Sequence, residues 1–127
     1  SISNKFGGNF RMISTGAAPL NPEIAEFLRI TIGTNLLEGY GLTETCASLT
    51  STGYENYRYG IVGLPLSCCE VKLVSVNEME YSIKDQPNPR GEIWCRGPNV
   101  FIGYHQLPEI TAEYLTEDGW FKTGSNS

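Results

Sequence analysis

The chain has 127 residues, of which 40% are hydrophobic and 18% are charged, and its formal net charge at pH 7 is -5. This composition is typical of a globular domain and excludes a disordered tail, a collagen and a bundle of membrane helices. Acidic residues outnumber basic ones, and the basic residues do not cluster in the sequence. A nucleic-acid partner is therefore not expected. The apolar stretches are far shorter than the ~20 residues that span a bilayer, so no membrane span is expected in this segment.

An amphipathic helix is predicted between Asn21 and Gly33. Asn21 is a good N-cap, Pro22 suits the first helical position, and Gly33 suits the C-terminal stop. The apolar residues between them repeat at helical spacing: Ile24, Phe27, Leu28 and Ile32. Because these signals agree, the segment should fold as a helix with one apolar face.

Two β-prone runs flank this helix, Arg11 to Thr15 and Thr34 to Glu38. A strand, a helix and a strand in this order form a βαβ unit, whose crossover makes the two strands parallel. The glycine-containing loops that follow the strands, one at Gly16 and one at Gly39, are then expected at the same carboxyl edge of the sheet. Open α/β folds bind ligands at that edge.

The second part of the chain has the pattern of an antiparallel β region. Glu70 to Val76 and Gly91 to Arg96 alternate with period two, and a short helix is expected after Pro108. The polar stretch at residues 77–90 is predicted to be an exposed connection. Three of its acidic side chains are expected to be solvated: Glu78, Glu80 and Asp85. The fold class is therefore α/β, with a βαβ portion followed by antiparallel strands.

The four cysteines lack the paired spacing of a zinc site, and the single histidine, His105, is expected at the surface. A site of metal and cysteine is therefore not expected. We interpret all four cysteines as reduced thiols: Cys46, Cys68, Cys69 and Cys95. One or two of these four are expected in the core.

The segment Glu38 to Thr45, EGYGLTET, has the residue types that contact a nucleotide. Its two glycines can admit a ligand close to the backbone, and the ring of Tyr40 can stack on a purine. The hydroxyl of Thr43 can donate to a phosphate oxygen, and the carboxylate of Glu44 can ligate Mg²⁺. These residue types therefore suit a nucleotide site, although by themselves they favour a plain turn with a solvated glutamate.

The same residues have purely structural interpretations, because short glycine motifs are common. Tyr40 can fill the core, Thr43 can cap a turn or a helix, and Glu44 can be a solvated surface acid. The aromatic residues further along alternate like strand residues and are interpreted as members of a packed β region rather than of a site. They are Trp94, Phe101, Tyr104, Trp120 and Phe121.

Five motifs, in order, resemble those of the adenylate-forming acyl-CoA synthetases of the AMP-dependent synthetase/ligase family. They are STGAAPL at 14–20, EGYGLTET at 38–45, GIVGLPL at 60–66, GEIWCRGPNVFIGY at 91–104 and DGWFKTG at 118–124. The opening GGNFRMISTGAAPL, the segment GLPLSCCEVKL and the long insertion before PRGEI are similar to the eukaryotic long-chain fatty-acid branch. The resemblance covers essentially the whole chain.

The resemblance implies that the chain is a fragment of a multidomain enzyme, from the latter part of its large AMP-binding domain. Residues 1–50 would be the βαβ part with the nucleotide loops, and residues 51–127 the mainly β part. The complete enzyme would be a long-chain fatty acid:CoA ligase, which uses ATP, Mg²⁺ and coenzyme A to form acyl-CoA, AMP and diphosphate through an acyl-adenylate. The alternative is a truncated, non-catalytic module that binds a nucleotide or another protein.

By motif match, the resemblance assigns roles to residues of the two loops. Thr43 and Glu44 would be catalytic, with Thr43 at the α-phosphate and Glu44 holding Mg²⁺, and Tyr40 would stack on adenine. The other residues implied in nucleotide binding are Gly16, Ala17, Ala18, Glu38, Gly39 and Gly41; the first three would line the adenine and acyl pocket.

One position departs from the family pattern. Ser125 stands where the family has an aspartate that accepts hydrogen bonds from the ribose hydroxyls, so nucleotide affinity is expected to be weaker. The isolated chain is expected to lack ligase activity, because the phosphate loop and the catalytic lysine of the family do not appear in it. It is also expected to be marginally stable, because sheet edges and a helix face would be uncovered.

The implied partners are the fatty acid, ATP, coenzyme A and the remainder of the full-length synthetase. An intracellular location is expected. The complete enzyme would lie at the cytosolic face of the endoplasmic reticulum, at the mitochondrial outer membrane or at the peroxisome.

Overall fold

A computed structural model describes residues 2–55 and 58–126 and divides the chain into two compact units. The first unit consists of Ser1–Leu42 and Ala47–Leu66, and the second of Thr43–Cys46 and Ser67–Ser127. The second unit therefore includes a short turn that precedes residue 50 in the sequence. The predicted division of one AMP-binding domain at residue 50 stays a prediction.

The first unit contains the predicted βαβ crossover. Its described elements are α1 (Ile2–Lys5), β1 (Met12–Thr15), α2 (Pro22–Ile32), β2 (Asn35–Tyr40), β3 (Thr50–Ser51) and β4 (Leu64–Pro65). These strands form a sheet in the order β1, β2, β3, β4; β1 and β2 are parallel, and the other neighbours are antiparallel. The predicted strand, helix and parallel strand are confirmed.

Helix α2 has the predicted caps at both ends. The side chain of Asn21 accepts a hydrogen bond of 2.8 Å from the Glu23 N–H, and Pro22 begins the helix. Gly33 adopts a left-handed conformation with φ of 74°, and its N–H donates to the Arg29 carbonyl at 2.9 Å. Glycine adopts this conformation without steric cost, so the helix ends there.

The apolar side chains of α2 are unequally covered. Ala25 is fully buried, and Leu28 and Ile32 are half-buried. Ile24 and Ile30 are 51% and 75% exposed, and Phe27 is also exposed. The prediction of an uncovered helix face is therefore confirmed for the described residues.

Strand β2 is longer than predicted. Gly39 pairs with Ser51, and Tyr40 pairs with Thr50, in an antiparallel ladder with β3. The prediction that the loop begins at Gly39 is wrong, because this pairing keeps the chain extended as far as Tyr40. The loop begins at Gly41.

The second unit contains an antiparallel sheet, as predicted. Its described elements are β5 (Glu70–Val74), β6 (Glu92–Arg96), α3 (Pro108–Tyr114) and β7 (Phe121–Asn126), with short 3₁₀ turns at Thr43–Thr45 and Asn77–Met79. The strand order is β5, β6, β7, with both pairs antiparallel. The helix after Pro108 is confirmed, whereas β7 was not predicted as a strand.

The polar connection between β5 and β6 is mostly exposed, as predicted, but Asp85 is not simply solvated. Its carboxylate pairs with the Arg90 guanidinium at 2.8 Å and accepts a hydrogen bond from the Ser82 N–H at 3.0 Å. The hydrogen bond from the Ser82 N–H is the main cause that holds the pKa of Asp85 below its ordinary value, and the hydrogen bond from Arg90 is the next largest. The expectation of a solvated acid is wrong at this residue, because the connection folds back on itself.

Within residues 2–55 and 58–126, no helix combines the length and the apolar character needed to cross a membrane. The longest described helix, α2, has 11 residues.

The core of the second unit contains a thiol. Cys95 on β6 is fully buried, as is Thr45, and Phe121 on β7 is 2% exposed. Burial, and to a smaller extent the neighbouring Cys69, raises the pKa of the Cys95 thiol from 9.0 to about 11. The expectation of one or two free cysteines in the core is met by this residue.

The buried thiol predicts a loss of stability at alkaline pH. Between pH 9 and about 11, the Cys95 thiol ionises in the unfolded chain but stays protonated in the folded one, so unfolding becomes more favourable as pH rises through this window. The measurement is the free energy of unfolding by urea of the full-length protein, below pH 9 and near pH 11. The loss should be smaller in Cys95→Ala and unchanged in Cys46→Ala, which removes an exposed thiol. Equal losses in all three proteins would contradict the assignment.

Candidate functional site

At the predicted edge of the first sheet, the start of the loop after β1 lies beside Gly39, the penultimate residue of β2. The parallel register pairs Thr15 with Glu38, so Gly16 follows β1 beside Gly39. A Cβ atom built on Gly16 would lie 3.1 Å from the Gly39 carbonyl oxygen, which leaves little room for a side chain. The sequence correctly placed these two positions together.

The loop after β1 is exposed and locally strained. Gly16, Ala17 and Ala18 are all exposed. Ala17 has φ of +66°, a left-handed conformation that costs an alanine about 1 kcal/mol. Strained backbone of this kind is common at ligand-binding loops. The predicted contact of these residues with a ligand stays a prediction.

Gly41 allows the chain to approach its own backbone. A Cβ atom at this position would lie 2.1 Å from the Ala47 carbonyl oxygen, a distance that no side chain can occupy. Gly39 is similarly restricted, because its Cβ atom would lie 2.8 Å from the Thr50 carbonyl oxygen. Both glycines are therefore required by the fold, and their predicted contact with a nucleotide is a separate proposal.

Tyr40 has a half-buried ring whose hydroxyl group has no partner in the described part of the chain. The hydroxyl oxygen is buried and makes no hydrogen bond within residues 2–55 and 58–126. A buried polar group without a partner costs about 1–3 kcal/mol, and the hydroxyl of a buried tyrosine usually finds one. A role of Tyr40 in filling the core accounts for the half-buried ring but does not explain why the hydroxyl group is buried without a partner among the described residues. A bound molecule or another part of the protein can supply the partner.

In the second unit, Thr43, Glu44 and Thr45 form a single 3₁₀ turn. Thr43 is exposed, and the Cys46 N–H donates to its carbonyl at 3.1 Å. Thr45 is fully buried and anchors the turn in the core of this unit. Thr43 thus starts a turn, as one interpretation predicted, and the residue is exposed.

Glu44 is held on both its backbone and its side chain. Its carboxylate oxygen Oε1 accepts a hydrogen bond of 2.8 Å from the Tyr104 hydroxyl, and its carbonyl accepts one of 2.8 Å from the Phe101 N–H. The residue is half-buried. Glu44 is therefore not a freely solvated surface acid, and that alternative is wrong.

Tyr104 contacts the candidate site residue Glu44, a contact that the sequence did not predict. The alternation of the aromatic residues predicts that Tyr104 packs in the β region, but Phe101 and Tyr104 lie in the loop that precedes α3. Burial is the main cause that raises the pKa of Tyr104 to about 12, and the hydrogen bond to Glu44 adds to it. The phenol therefore stays protonated and can donate its hydrogen to the carboxylate at neutral pH.

The predicted role of Phe101 in packing is correct. Its ring contacts the rings of Tyr104 and Phe121 edge-on, with centroids 4.8 Å and 5.3 Å apart. Trp94 lies on β6 and Trp120 directly precedes β7, and the Lys72 ammonium lies over both rings at 4.9 Å and 4.0 Å. Sequence alternation identified these rings correctly as parts of the β region.

The oxygen atoms of the turn at Thr43–Thr45 are of the kind that binds a hard cation. Tyr104 bonds to one oxygen of Glu44, and a carboxylate retains further acceptor capacity at its second oxygen. Mg²⁺ prefers oxygen ligands and is commonly bound by one or two carboxylates together with phosphate oxygens. The half-buried carboxylate of Glu44 can supply one such ligand, whereas residues 2–55 and 58–126 contain no group of three or more acidic, histidine or cysteine side chains that could hold a metal ion by themselves.

A family model described as AMP-binding enzyme matches residues 2–105 of the chain. The chain belongs to the AMP-binding enzyme family. The match includes the loop at Gly16, the segment from Glu38 to Thr45, and Tyr104. The family that five ordered motifs suggested is therefore confirmed.

The chain is similar to part of several curated proteins of this family. Long chain acyl-CoA synthetase 6, peroxisomal, of Arabidopsis thaliana is 46% identical over 123 residues, which cover 97% of this chain and 18% of that protein. Fatty acyl-CoA synthetase A of Dictyostelium discoideum is 48% identical over 121 residues, which cover 95% of this chain and 18% of that protein. The chain thus spans less than a fifth of these relatives.

A solved structure of an AMP-binding protein has the same fold. The A domain of carboxylic acid reductase from Segniliparus rugosus, determined in complex with AMP and a co-purified carboxylic acid, matches with a TM-score of 0.73 and 33% identity. The match covers 94% of this chain and 18% of that one. The predicted α/β fold, as a portion of an adenylate-forming domain, is confirmed.

Proposed function

We propose that the chain is a portion of an ATP-dependent long-chain fatty acid:CoA ligase. The observation that carries the proposal is 46–48% identity to acyl-CoA synthetases along nearly the whole chain. The reaction would join a fatty-acid carboxylate to the α-phosphate of ATP, releasing diphosphate. The thiol of coenzyme A would then displace AMP and form the thioester.

The described residues would contribute binding and orientation to this reaction. Charge builds on the phosphate oxygens during adenylate formation, so donors and cations held in fixed positions lower the barrier. Thr43 would donate to the α-phosphate. Glu44 would hold Mg²⁺, which supplies positive charge at the phosphates when bound. The fixed carboxylate orientation of Glu44 supports this role.

The nucleotide base would be bound by the first loops of the chain. Tyr40 would stack on adenine, and its unpartnered hydroxyl supports contact with a group outside the described residues. The exposed and strained loop at Ala17 supports a ligand-facing role. Gly16, Ala17 and Ala18 would line the adenine and acyl pocket, and the backbone of Glu38, Gly39 and Gly41 would border the nucleotide.

The partners of the complete protein would be a fatty acid, ATP, coenzyme A and the remainder of the synthetase. The Arabidopsis relative is named as peroxisomal. We place the complete enzyme inside the cell, at the peroxisome, the endoplasmic reticulum or the mitochondrial outer membrane.

A second candidate function is a nucleotide-binding or interaction module without ligase activity. The observation that favours it is Ser125, which replaces the aspartate expected in the ribose contact. A neutral hydroxyl is a weaker acceptor than a carboxylate.

The test is the product formed by the full-length protein that contains this chain. With ATP, Mg²⁺, coenzyme A and oleate, we expect equal amounts of oleoyl-CoA and AMP, and much less product with benzoate or malonate. The products are quantified by liquid chromatography and mass spectrometry. Nucleotide binding with no thioester from any carboxylic acid would contradict the ligase and favour the non-catalytic module.

A further inference from the structure

We propose that Tyr104 is a positioning residue, which holds the Glu44 carboxylate in the orientation that binds Mg²⁺. The inference rests on the proposed function, in which Glu44 is the metal ligand. Tyr104 itself would touch neither the nucleotide nor the metal.

The loop segment Phe101 to Tyr104 contacts Glu44 at both of its polar parts. The Phe101 N–H fixes the backbone carbonyl, and the Tyr104 hydroxyl fixes carboxylate oxygen Oε1, each at 2.8 Å. Glu44 and Tyr104 are 60 residues apart in the sequence, so this contact depends on the folded second unit. A carboxylate bound in this way has fewer accessible rotamers than a free one, and less entropy is lost when it binds a cation.

Tyr104 is itself fixed from two sides. Its N–H donates to the Thr111 hydroxyl at 2.9 Å, and that hydroxyl donates to the Leu107 carbonyl at 2.9 Å at the start of α3. The rings of Phe101 and Tyr114 contact the Tyr104 ring edge-on, at 4.8 Å and 6.4 Å. A ligand is oriented well only when its support is rigid, and both hydrogen bonds and ring contacts provide that rigidity.

The hydrogen bond leaves the second oxygen of Glu44 for the cation. The Tyr104 hydroxyl donates to Oε1, so a metal ion can bind at Oε2 without competing with this hydrogen bond. Tyr104→Phe removes only this donor and keeps the ring contacts, so it isolates the orienting effect from the contribution of the ring to stability.

The experiment compares the full-length protein with Tyr104→Phe in acyl-CoA formation at varied Mg²⁺ concentration. The concentration of Mg²⁺ that gives half-maximal rate should rise about 10- to 100-fold, which is the usual cost of losing a contact that orients a metal ligand. The KM for the fatty acid and the midpoint of thermal unfolding should stay at the parent values. Tyr81→Phe, a matched change in the connection between β5 and β6, should leave all three quantities unchanged.

A double-mutant cycle with Glu44→Gln shows whether Tyr104 acts through Glu44. We expect Tyr104→Phe to have no further effect on the Mg²⁺ requirement when Glu44 is already replaced. The same effect in both backgrounds would overturn the proposal, because Tyr104 would then act independently of Glu44. A Mg²⁺ requirement that changes in Glu44→Gln but not in Tyr104→Phe would overturn this inference alone. No change in Glu44→Gln would remove the metal role of Glu44, and this inference with it.

A further variant tests the hydrogen bond from the Tyr104 N–H to the Thr111 hydroxyl. Thr111→Val keeps the shape of the side chain but removes the acceptor for the Tyr104 N–H. We expect a smaller rise in the Mg²⁺ requirement than in Tyr104→Phe. Thr111→Ser, which keeps the hydroxyl, should restore the parent value, and failure of this rescue would contradict the role of the hydroxyl.

Discussion

Glu44→Gln is expected to lower the rate of acyl-CoA formation by the full-length protein by about 100-fold or more. The substitution keeps the size of the side chain, and the amide oxygen can still accept the hydrogen bond from Tyr104. What is lost is the negative charge that would hold Mg²⁺ against the phosphates. Because the half-buried position stays filled, the expected loss is one of catalysis rather than of folding.

The measurement is the initial rate with saturating oleate and coenzyme A, at several Mg²⁺ concentrations, together with the thermal unfolding midpoint. High Mg²⁺ should recover only part of the lost rate. Glu113→Gln, an exposed carboxylate on α3, is the matched control and should retain the parent rate. A parent-like rate in Glu44→Gln would show that the carboxylate does not hold the metal.

Ser125→Asp is expected to raise the affinity for AMP by about 10- to 100-fold. A hydrogen bond to a charged acceptor contributes about 1.5–3 kcal/mol, compared with about 1 kcal/mol for a neutral one. Two such bonds, one to each ribose hydroxyl, would therefore gain about 1–4 kcal/mol, a range that includes the expected change in affinity. The resemblance to the family implies an aspartate at this position, which would accept hydrogen bonds from the ribose hydroxyls. The substitution would therefore restore the acceptor that the sequence lacks.

Residue 125 lies on a β-bulge, and the hydrogen bonds described here that hold this bulge do not involve the Ser125 side chain. The register between β6 and β7 shifts here, and Gly124 has φ of +69°. The Glu92 carboxylate accepts from the Gly124 N–H at 3.0 Å, and the Thr123 hydroxyl donates to the Ile93 carbonyl at 2.8 Å. The Ser125 N–H donates to the same Thr123 hydroxyl at 3.1 Å. An aspartate can therefore replace Ser125 without loss of these contacts.

The measurement is calorimetric titration of the full-length protein with AMP. Ser125→Asn, which has the shape of aspartate without its charge, should gain less than tenfold, so the comparison separates charge from size. Equal affinities of the parent and Ser125→Asp would show that this position does not contact the ribose.

Local signals in the sequence were sufficient to predict helix α2. Its limits depend on Asn21, Pro22 and Gly33, which act on neighbouring backbone groups, and the structure has each of them in the predicted role. The parallel pairing of β1 and β2 follows from the same helix, because a crossover of this kind returns the chain in the same direction.

Long-range pairing explains what the sequence could not predict. Local sequence places Gly39 in a loop, because glycine weakens isolated strands. Its pairing with Ser51 in the ladder keeps it extended, and that partner is distant in the sequence. The contact between Glu44 and Tyr104 spans 60 residues. Neither residue carries a local signal for it, and strand-like alternation assigned Tyr104 to a packed sheet instead.

The most direct test of nucleotide binding by the segment Glu38 to Thr45 is calorimetric titration of the full-length protein with a non-hydrolysable acyl-adenylate analogue. In Tyr40→Ala we expect about tenfold or greater loss of affinity, because the aromatic face for the base is removed. Tyr54→Ala removes an exposed ring from the same unit and should bind like the parent. Binding by Tyr40→Ala with the parent affinity would contradict nucleotide binding by this segment.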